Sequence, residues 1–124
     1  MSVTHARGFR ASGVTAGLKA SGRPDIALVV NMGPSQAAAA VFTRNRFTAA
    51  PVVWSKQVLA DGEIRAVILN SGGANACTGP AGFADTHRTA EHMAQALSAS
   101  GVLTPAGIDV GAGEIVLCST GLIG

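Results

Sequence analysis

The sequence predicts a mixed fold of the α/β or α+β class, in which helices cover an apolar sheet. Three runs rich in β-branched residues, at 26–31, 65–70 and 114–118, predict buried strands. Apolar residues at spacings of three and four over residues 84–100 predict a helix between the last two strands. Hydrophobic residues make up 48% of the chain and charged residues 13%, which favours a folded core over disorder.

The N-terminal part of the chain predicts loops followed by a buried strand. Residues 1–25 are rich in glycine and serine, which favours loops, with one short strand near Val14. Residues 26–31 (Ile-Ala-Leu-Val-Val-Asn) form a continuous apolar run with β-branched members. Such a run is typical of a buried strand, so the first long strand is expected there.

The next segment predicts a hairpin and then a short helix. A glycine and a proline in Asn-Met-Gly-Pro (31–34) favour a turn, and residues 37–43 predict a strand that pairs with 26–31 as a hairpin. Residues 50–59 predict an amphipathic helix, because Pro51 suits a first helical turn and apolar residues follow at helical spacing. An Asp-Gly pair is expected to end this helix.

The second half of the chain predicts a strand, a loop and a longer helix. Residues 65–70 (Arg-Ala-Val-Ile-Leu-Asn) predict another buried strand, which runs into a long loop of small residues over 70–79. The helix over 84–100 follows, with one apolar face formed by Ala90, Met93, Ala94 and Leu97.

The C-terminal quarter predicts a flexible connection and a final strand. Residues 101–113 contain five glycine or proline residues, which favour a loop. Residues 114–118 predict a strand, and Ser-Thr-Gly-Leu-Ile-Gly (119–124) follows it. No internal repeat or boundary is visible, and no helix follows to cover the last strand. Residues 1–124 are therefore expected to be the N-terminal part of a larger domain.

Charge and cysteine content exclude several partners. The net charge is +2 without a basic stripe, which argues against nucleic-acid binding. The most apolar stretch, 26–42, is interrupted by polar and turn residues, which argues against a membrane span. Cys77 and Cys118 are too few for a disulfide scaffold, and no signal peptide is visible. A cytoplasmic protein with free thiols is expected. Cys77 could be a nucleophile with His87, but a small buried thiol is favoured, since nothing nearby is basic enough to lower its pKa.

Generic cofactor and metal motifs are also absent. The glycine-rich residues 72–79 lack the lysine of a phosphate-binding loop, and Gly-Ala-Gly (111–113) precedes a strand instead of following one. His87 and His92 are five residues apart, so a helix turns them to different faces. His87 and Glu91 have a ligand-like spacing, but a solvated helix face explains them better. No metal and no cofactor is predicted.

Two polar segments, 70–79 and 119–121, follow predicted strands, where functional sites of such folds gather. Ser-Thr-Gly at 119–121 places a hydroxyl beside a glycine N–H, and both groups can donate to a developing oxyanion. An ordinary turn is the alternative interpretation, and spacing alone favours it.

Four segments in the same order resemble the ornithine acetyltransferase family, the glutamate N-acetyltransferases of arginine biosynthesis. They are Gly-Phe-Arg-Ala-Ser-Gly-Val (8–14), Val-Phe-Thr-Arg-Asn (41–45) with Ala-Pro-Val (50–52), Asn-Ser-Gly-Gly-Ala-Asn-Ala-Cys-Thr-Gly (70–79), and the segment 119–124. The resemblance covers nearly the whole chain and implies a layered α/β sandwich that is incomplete in these residues.

The resemblance also implies an activity and a set of partners. Family members move acetyl from N-acetylornithine to glutamate by a ping-pong route through an acetyl-enzyme, and some accept acetyl-CoA as a substrate. The precursor cleaves itself before a threonine, which becomes the N-terminal nucleophile of a second, β chain. The α and β chains assemble into a heterotetramer. The residues at hand correspond to the N-terminal part of the α chain.

The resemblance assigns the oxyanion donors to Thr120, through its hydroxyl, and Gly121, through its backbone N–H. No Ala-Thr cleavage site occurs in residues 1–124, so the nucleophile and the substrate-binding residues are expected beyond residue 124. By itself the fragment is expected to be inactive. Two other hypotheses stay open: a truncated non-catalytic fragment or assembly module, and a related amidohydrolase-like protein with an N-terminal nucleophile.

Overall fold

The computed structural model describes residues 2–103 and 109–123, which form one four-stranded sheet and two α-helices. The strands are β1 (Phe9–Val14), β2 (Ile26–Asn31), β3 (Ala66–Ala74) and β4 (Ile115–Ile123), and the helices are α1 (Ala50–Val58) and α2 (Gly79–Ala99). Short 3₁₀ turns at Leu59–Asp61 and Ala112–Glu114 follow α1 and precede β4. The mixed α+β class predicted from the sequence is confirmed.

The strands lie in the sheet in chain order, β1-β2-β3-β4. The first three strands are antiparallel neighbours, whereas β3 and β4 run parallel. Parallel neighbours need a long connection, and α2 is that crossover. The carboxyl ends of β3 and β4 therefore meet at the same end of the sheet.

Both helices pack on one face of the sheet. Alternate residues of the strands point to that face, so β2, β3 and β4 each contribute buried apolar side chains to it. Together with the apolar face of α2 and the indole of α1, these side chains form the core. Its members include Val30, Trp54, Ala66, Ile68, Ala90, Ala94, Leu97, Ile115 and Leu117.

Helix α1 is tied to the edge strand β4 by buried hydrogen bonds. The Trp54 indole N–H donates to the Ile115 carbonyl at 2.9 Å. The Ser55 hydroxyl donates to the Leu117 carbonyl at 3.0 Å and accepts from the Leu117 N–H at 3.2 Å. These bonds satisfy backbone groups of β4 that point away from β3, and they hold the edge of the sheet against α1.

Most of the predicted elements are confirmed, and one is wrong. The strands near Val14 and at 26–31 and the helix that begins around Pro51 lie where the sequence predicts them. The hairpin strand at 37–43 is absent, since this segment makes only an isolated bridge, from Ala37 to Glu63. β2 already pairs with β1 on one edge and β3 on the other, so no edge of β2 is left for it.

Three other elements are longer than predicted. β3 continues through Ala74 and β4 through Ile123, so much of the two predicted polar loops is strand. α2 starts at Gly79, ahead of the predicted position. The predicted connection over 101–113 lies partly outside the described residues, which omit 104–108. Among the helices that are described, none has the length and apolar character that crossing a membrane requires.

Candidate functional site

The two polar segments predicted as separate loops are paired with each other. Asn70 lies opposite Ser119, Ser71 opposite Thr120, and Gly72 opposite Gly121 in the parallel register of β3 and β4. The prediction that these segments form loops is wrong over the residues that pair. They nevertheless meet at the carboxyl ends of adjacent parallel strands, where the sequence places the candidate site.

Ser119 faces the helices and joins a polar network. Its hydroxyl accepts from the Asn75 N–H at 2.9 Å and donates to the Gly73 carbonyl at 3.2 Å. The Asn75 side-chain amide in turn donates to the Gly82 carbonyl at 2.7 Å and to the Thr86 hydroxyl at 2.9 Å. The network ties the first turns of α2 to the end of β4, so the backbone around Ser119 is fixed from both sides.

Thr120, the next residue, points to the opposite face of the sheet, because strand side chains alternate. It is exposed and lines an open cavity of about 290 Å³, together with Asp25, Leu69 and Ser71. Within residues 2–103 and 109–123, its hydroxyl has no hydrogen-bond partner, whereas that of Ser119 has two. Thr120 is therefore free to donate to a bound group.

Gly121 adopts a backbone conformation that favours glycine, with φ at 138°. A Cβ atom at this position would lie 2.7 Å from the Gly73 nitrogen and 2.8 Å from the Gly72 carbonyl carbon. Gly72 itself has φ at 123°, and a Cβ there would lie 2.8 Å from the Leu18 carbonyl oxygen. The loop before β2, the end of β3 and the end of β4 thus approach one another backbone to backbone.

Asp25 holds that loop in place. The carboxylate is 3% exposed and accepts N–H groups from Ala16 at 2.7 Å, Leu18 at 2.6 Å and Lys19 at 3.0 Å. These hydrogen bonds, of which the one from Ala16 has the largest effect, hold the pKa of the Asp25 carboxyl below its usual range. No local pattern in the sequence predicts this role of Asp25, because an aspartate beside a strand gives no sign that three amides from another turn converge on it.

The histidines behave as a solvated helix face, as predicted. His87 and Glu91 are both exposed, with Nε2 and Oε1 3.5 Å apart. The His87 ring also packs on the Trp54 indole, with centroids 4.9 Å apart, a contact that the sequence analysis missed. In the part of the chain that the structure describes, no three potential ligands are grouped to hold a metal ion.

Cys77 and Cys118 are both free, as predicted, but the interpretation of Cys77 as a buried thiol is wrong. Cys77 lies exposed just before α2, in a left-handed conformation with φ at 59°. Its position in the turn that connects β3 to α2 keeps it out of the core. Partial desolvation raises the pKa of the Cys118 thiol, since burial disfavours the thiolate.

Alkylation without reductant is expected to add two groups to the native chain, one at each cysteine. Cys118 should react more slowly in the native chain than in the same chain unfolded in urea, because its raised pKa leaves less thiolate at pH 8. Intact mass and peptide mapping over time measure both quantities. A mass increase for one cysteine only, or equal Cys118 rates in both states, would contradict the assignment.

Comparisons with known proteins agree with the resemblance. The sequence matches the ArgJ family over residues 10–124. It is 62% identical over 124 residues to the arginine biosynthesis bifunctional protein ArgJ of Streptomyces coelicolor, covering 100% of this chain and 30% of the relative. It is 66% identical over 122 residues to that of Mycobacterium tuberculosis, covering 98% of this chain and 29% of the relative.

Two crystal structures share the fold. The ornithine acetyltransferase of M. tuberculosis, complexed with ornithine, superimposes with a TM-score of 0.90 at 65% identity, covering 98% of this chain and 60% of that one. The arginine biosynthesis bifunctional protein of Bacillus halodurans superimposes with a TM-score of 0.79 at 35% identity, covering 100% and 59%. This chain spans less than a third of the curated relatives' length, and it belongs to the ArgJ family.

Proposed function

We propose that residues 1–124 are the N-terminal part of a glutamate N-acetyltransferase, which moves acetyl from N-acetylornithine to glutamate, and that they supply its oxyanion donors. The observation that carries the proposal is that Thr120 and Gly121 are adjacent at the carboxyl end of β4, with the Thr120 hydroxyl exposed and unpartnered among the described residues. The M. tuberculosis structure contains ornithine, which supports an ornithine derivative as the acetyl donor.

Backbone geometry supports Gly121 as the second donor. N–H and C=O groups of successive strand residues point alternately to the two edges of the strand. Leu117 directs both groups to Ser55, away from β3, so the amide four residues later is expected to face the same free edge. Thr120 and Gly121 can then present an O–H and an N–H to one oxygen atom.

The chemistry requires such donors at two steps. A nucleophile that attacks the acetyl carbonyl of N-acetylornithine forms a tetrahedral intermediate with a negatively charged oxygen, and glutamate later attacks the acetyl-enzyme in the same way. Donors that are already aimed at this oxygen stabilise each transition state without reorganising. The fixed backbone around Ser119 and Gly72 provides that rigidity.

The nucleophile and the substrate contacts belong to segments beyond residue 124 in this proposal. The precursor cleaves itself before a threonine, and a free α-amino group can act as the base for that threonine's hydroxyl. The resulting β chain joins this one in a heterotetramer in the cytoplasm. In this proposal acetyl-CoA is a second acetyl donor, which fits the relatives' being bifunctional proteins.

The 124-residue chain alone should transfer no acetyl group, because it lacks the nucleophile, whereas the full-length, self-cleaved protein should release ornithine from N-acetylornithine and glutamate. Ornithine and N-acetylglutamate are measured together by mass spectrometry. Turnover by the short chain would contradict the assignment of the nucleophile. A cleaved full-length protein without transfer would favour an assembly module, and release of acetate alone would favour an amidohydrolase.

A further inference from the structure

The chain between β1 and β2 folds back over the sheet around a single carboxylate. Asp25 starts the return into β2, and its backbone joins both neighbouring strands: its N–H donates to the Val14 carbonyl at 3.0 Å, and its carbonyl accepts from Ser71 at 2.8 Å. Its side chain meanwhile accepts the three N–H groups of the 16–19 turn. One residue therefore fixes this turn relative to the start of β2 and the end of β3.

The turn that Asp25 holds bears directly on the pair of candidate donor residues. The Leu18 carbonyl occupies the position that a side chain at Gly72 would need, and Gly72 lies opposite Gly121 in the β3–β4 pair. Contacts thus run without a gap from the Asp25 carboxylate, through Leu18 and Gly72, to the backbone of Gly121. Asp25 also lines the cavity into which Thr120 points.

We propose that Asp25 is a positioning residue for the Thr120–Gly121 donors, acting through the 16–19 turn and the backbone of Gly72. This inference rests on the proposed function, because it needs the donors to act in catalysis. The carboxylate is buried and bonded to three backbone amides, so it acts through the turn that it holds. Asp25→Asn replaces one carboxylate oxygen with an NH2 group, which leaves at least one amide of the turn without an acceptor, so the Leu18 carbonyl is held less firmly against Gly72.

A displacement of this kind acts on the chemical step more than on binding. Misplacing catalytic groups by about 1 Å can cost up to about 10²-fold in rate. We expect Asp25→Asn to lower kcat by about tenfold or more in the full-length, cleaved enzyme, with KM for N-acetylornithine within about threefold of wild type. Asp25→Glu, which keeps the carboxylate, should recover part of the lost rate.

Asp61→Asn is the matched control. Asp61 also accepts a backbone N–H, from Glu63 at 3.0 Å, but it is exposed and lies after α1, away from the donors. The kcat of the Asp61→Asn enzyme should equal that of the wild type. A fall in kcat for Asp61→Asn as large as that for Asp25→Asn would show a general effect of losing such a bond, and it would overturn the inference.

The deciding experiment is a double-mutant cycle in the cleaved enzyme, with kcat measured for Asp25→Asn, Thr120→Val and the double variant. If Asp25 acts through the donors, the double variant should be faster than the product of the two single effects, because Thr120→Val already removes one of the two groups that Asp25 positions. Independent effects that multiply, or an unchanged kcat for Asp25→Asn, would overturn the inference while Thr120→Val still supports the donors. An unchanged kcat for Thr120→Val would instead refute the donors, and the inference with them. If Asp25→Asn does not fold, the same cycle is run with Asp25→Glu.

Discussion

Thr120→Val in the full-length, cleaved enzyme is expected to lower kcat by about 10²–10³, which corresponds to roughly 3–4 kcal/mol of transition-state stabilisation. Valine keeps the branched shape of threonine and removes the hydroxyl. The side chain is exposed and has no hydrogen-bond partner among the described residues, so the substitution breaks no other bond in this part of the chain. The lost rate then reports the missing donor.

The pattern of kinetic constants distinguishes a donor from a structural residue. Because the hydroxyl matters mainly when charge develops on the oxygen, kcat should fall far more than KM rises. Thr120→Ser keeps a hydroxyl and should retain much of the rate. Thr89→Val is the control, since it removes a threonine hydroxyl at an exposed position of α2, where that hydroxyl donates only to the Asp85 carbonyl one turn earlier, and it should leave kcat unchanged.

Self-cleavage needs a separate measurement, because it also passes through an oxyanion. The cleaved fraction of each variant is quantified by gel or mass, and rates are normalised to it. Wild-type kcat in the cleaved Thr120→Val enzyme would mean that the residue is only part of a strand end. The role assigned to Ser119-Thr120-Gly121 would then be wrong.

The sequence correctly predicts those helices and strands whose position depends mainly on the residues within them. The run at 26–31 becomes β2 with the predicted bounds, since β-branched residues suit a strand that is buried between neighbours. Pro51 sets the start of α1, because its fixed φ suits the first turn. The apolar face of α2 lies on the sheet as its spacing predicts.

Strand pairing is the part that the sequence could not provide. Residues 37–43 have the composition of a strand, but β1 and β3 occupy both edges of β2, so pairing across the sheet overrides local preference. The glycines of the two polar segments suggested loops, although in the structure they let β3 and β4 approach closely. Asp25 was missed for a related reason, since its partners converge only after the turn has folded.

Gly121→Ala is expected to destabilise the protein far more than Gly73→Ala. At Gly121 the new Cβ meets backbone atoms of β3 at 2.7 and 2.8 Å, and φ at 138° disfavours any side chain. Backbone strain of about 1–2 kcal/mol adds to about 1–3 kcal/mol for overpacking, and backbone neighbours cannot rotate away as a side chain could. We expect a loss of about 2–5 kcal/mol in the free energy of unfolding.

Gly73→Ala is the internal control, because Gly73 lies in β3 one position after Gly72, the partner of Gly121, has no positive φ, and has open space where the Cβ would lie. It should change the free energy of unfolding by less than about 1 kcal/mol, since alanine also loses less backbone entropy on folding than glycine. Urea midpoints of the full-length variants, measured under identical conditions, give the comparison. Gly72→Ala should lower the urea midpoint about as much as Gly121→Ala does, because its Cβ would lie 2.8 Å from the Leu18 carbonyl oxygen. If Gly121→Ala and Gly73→Ala unfold at the same urea concentration, the close approach of β3 and β4 is wrong, and the rigid support for the donors is lost with it.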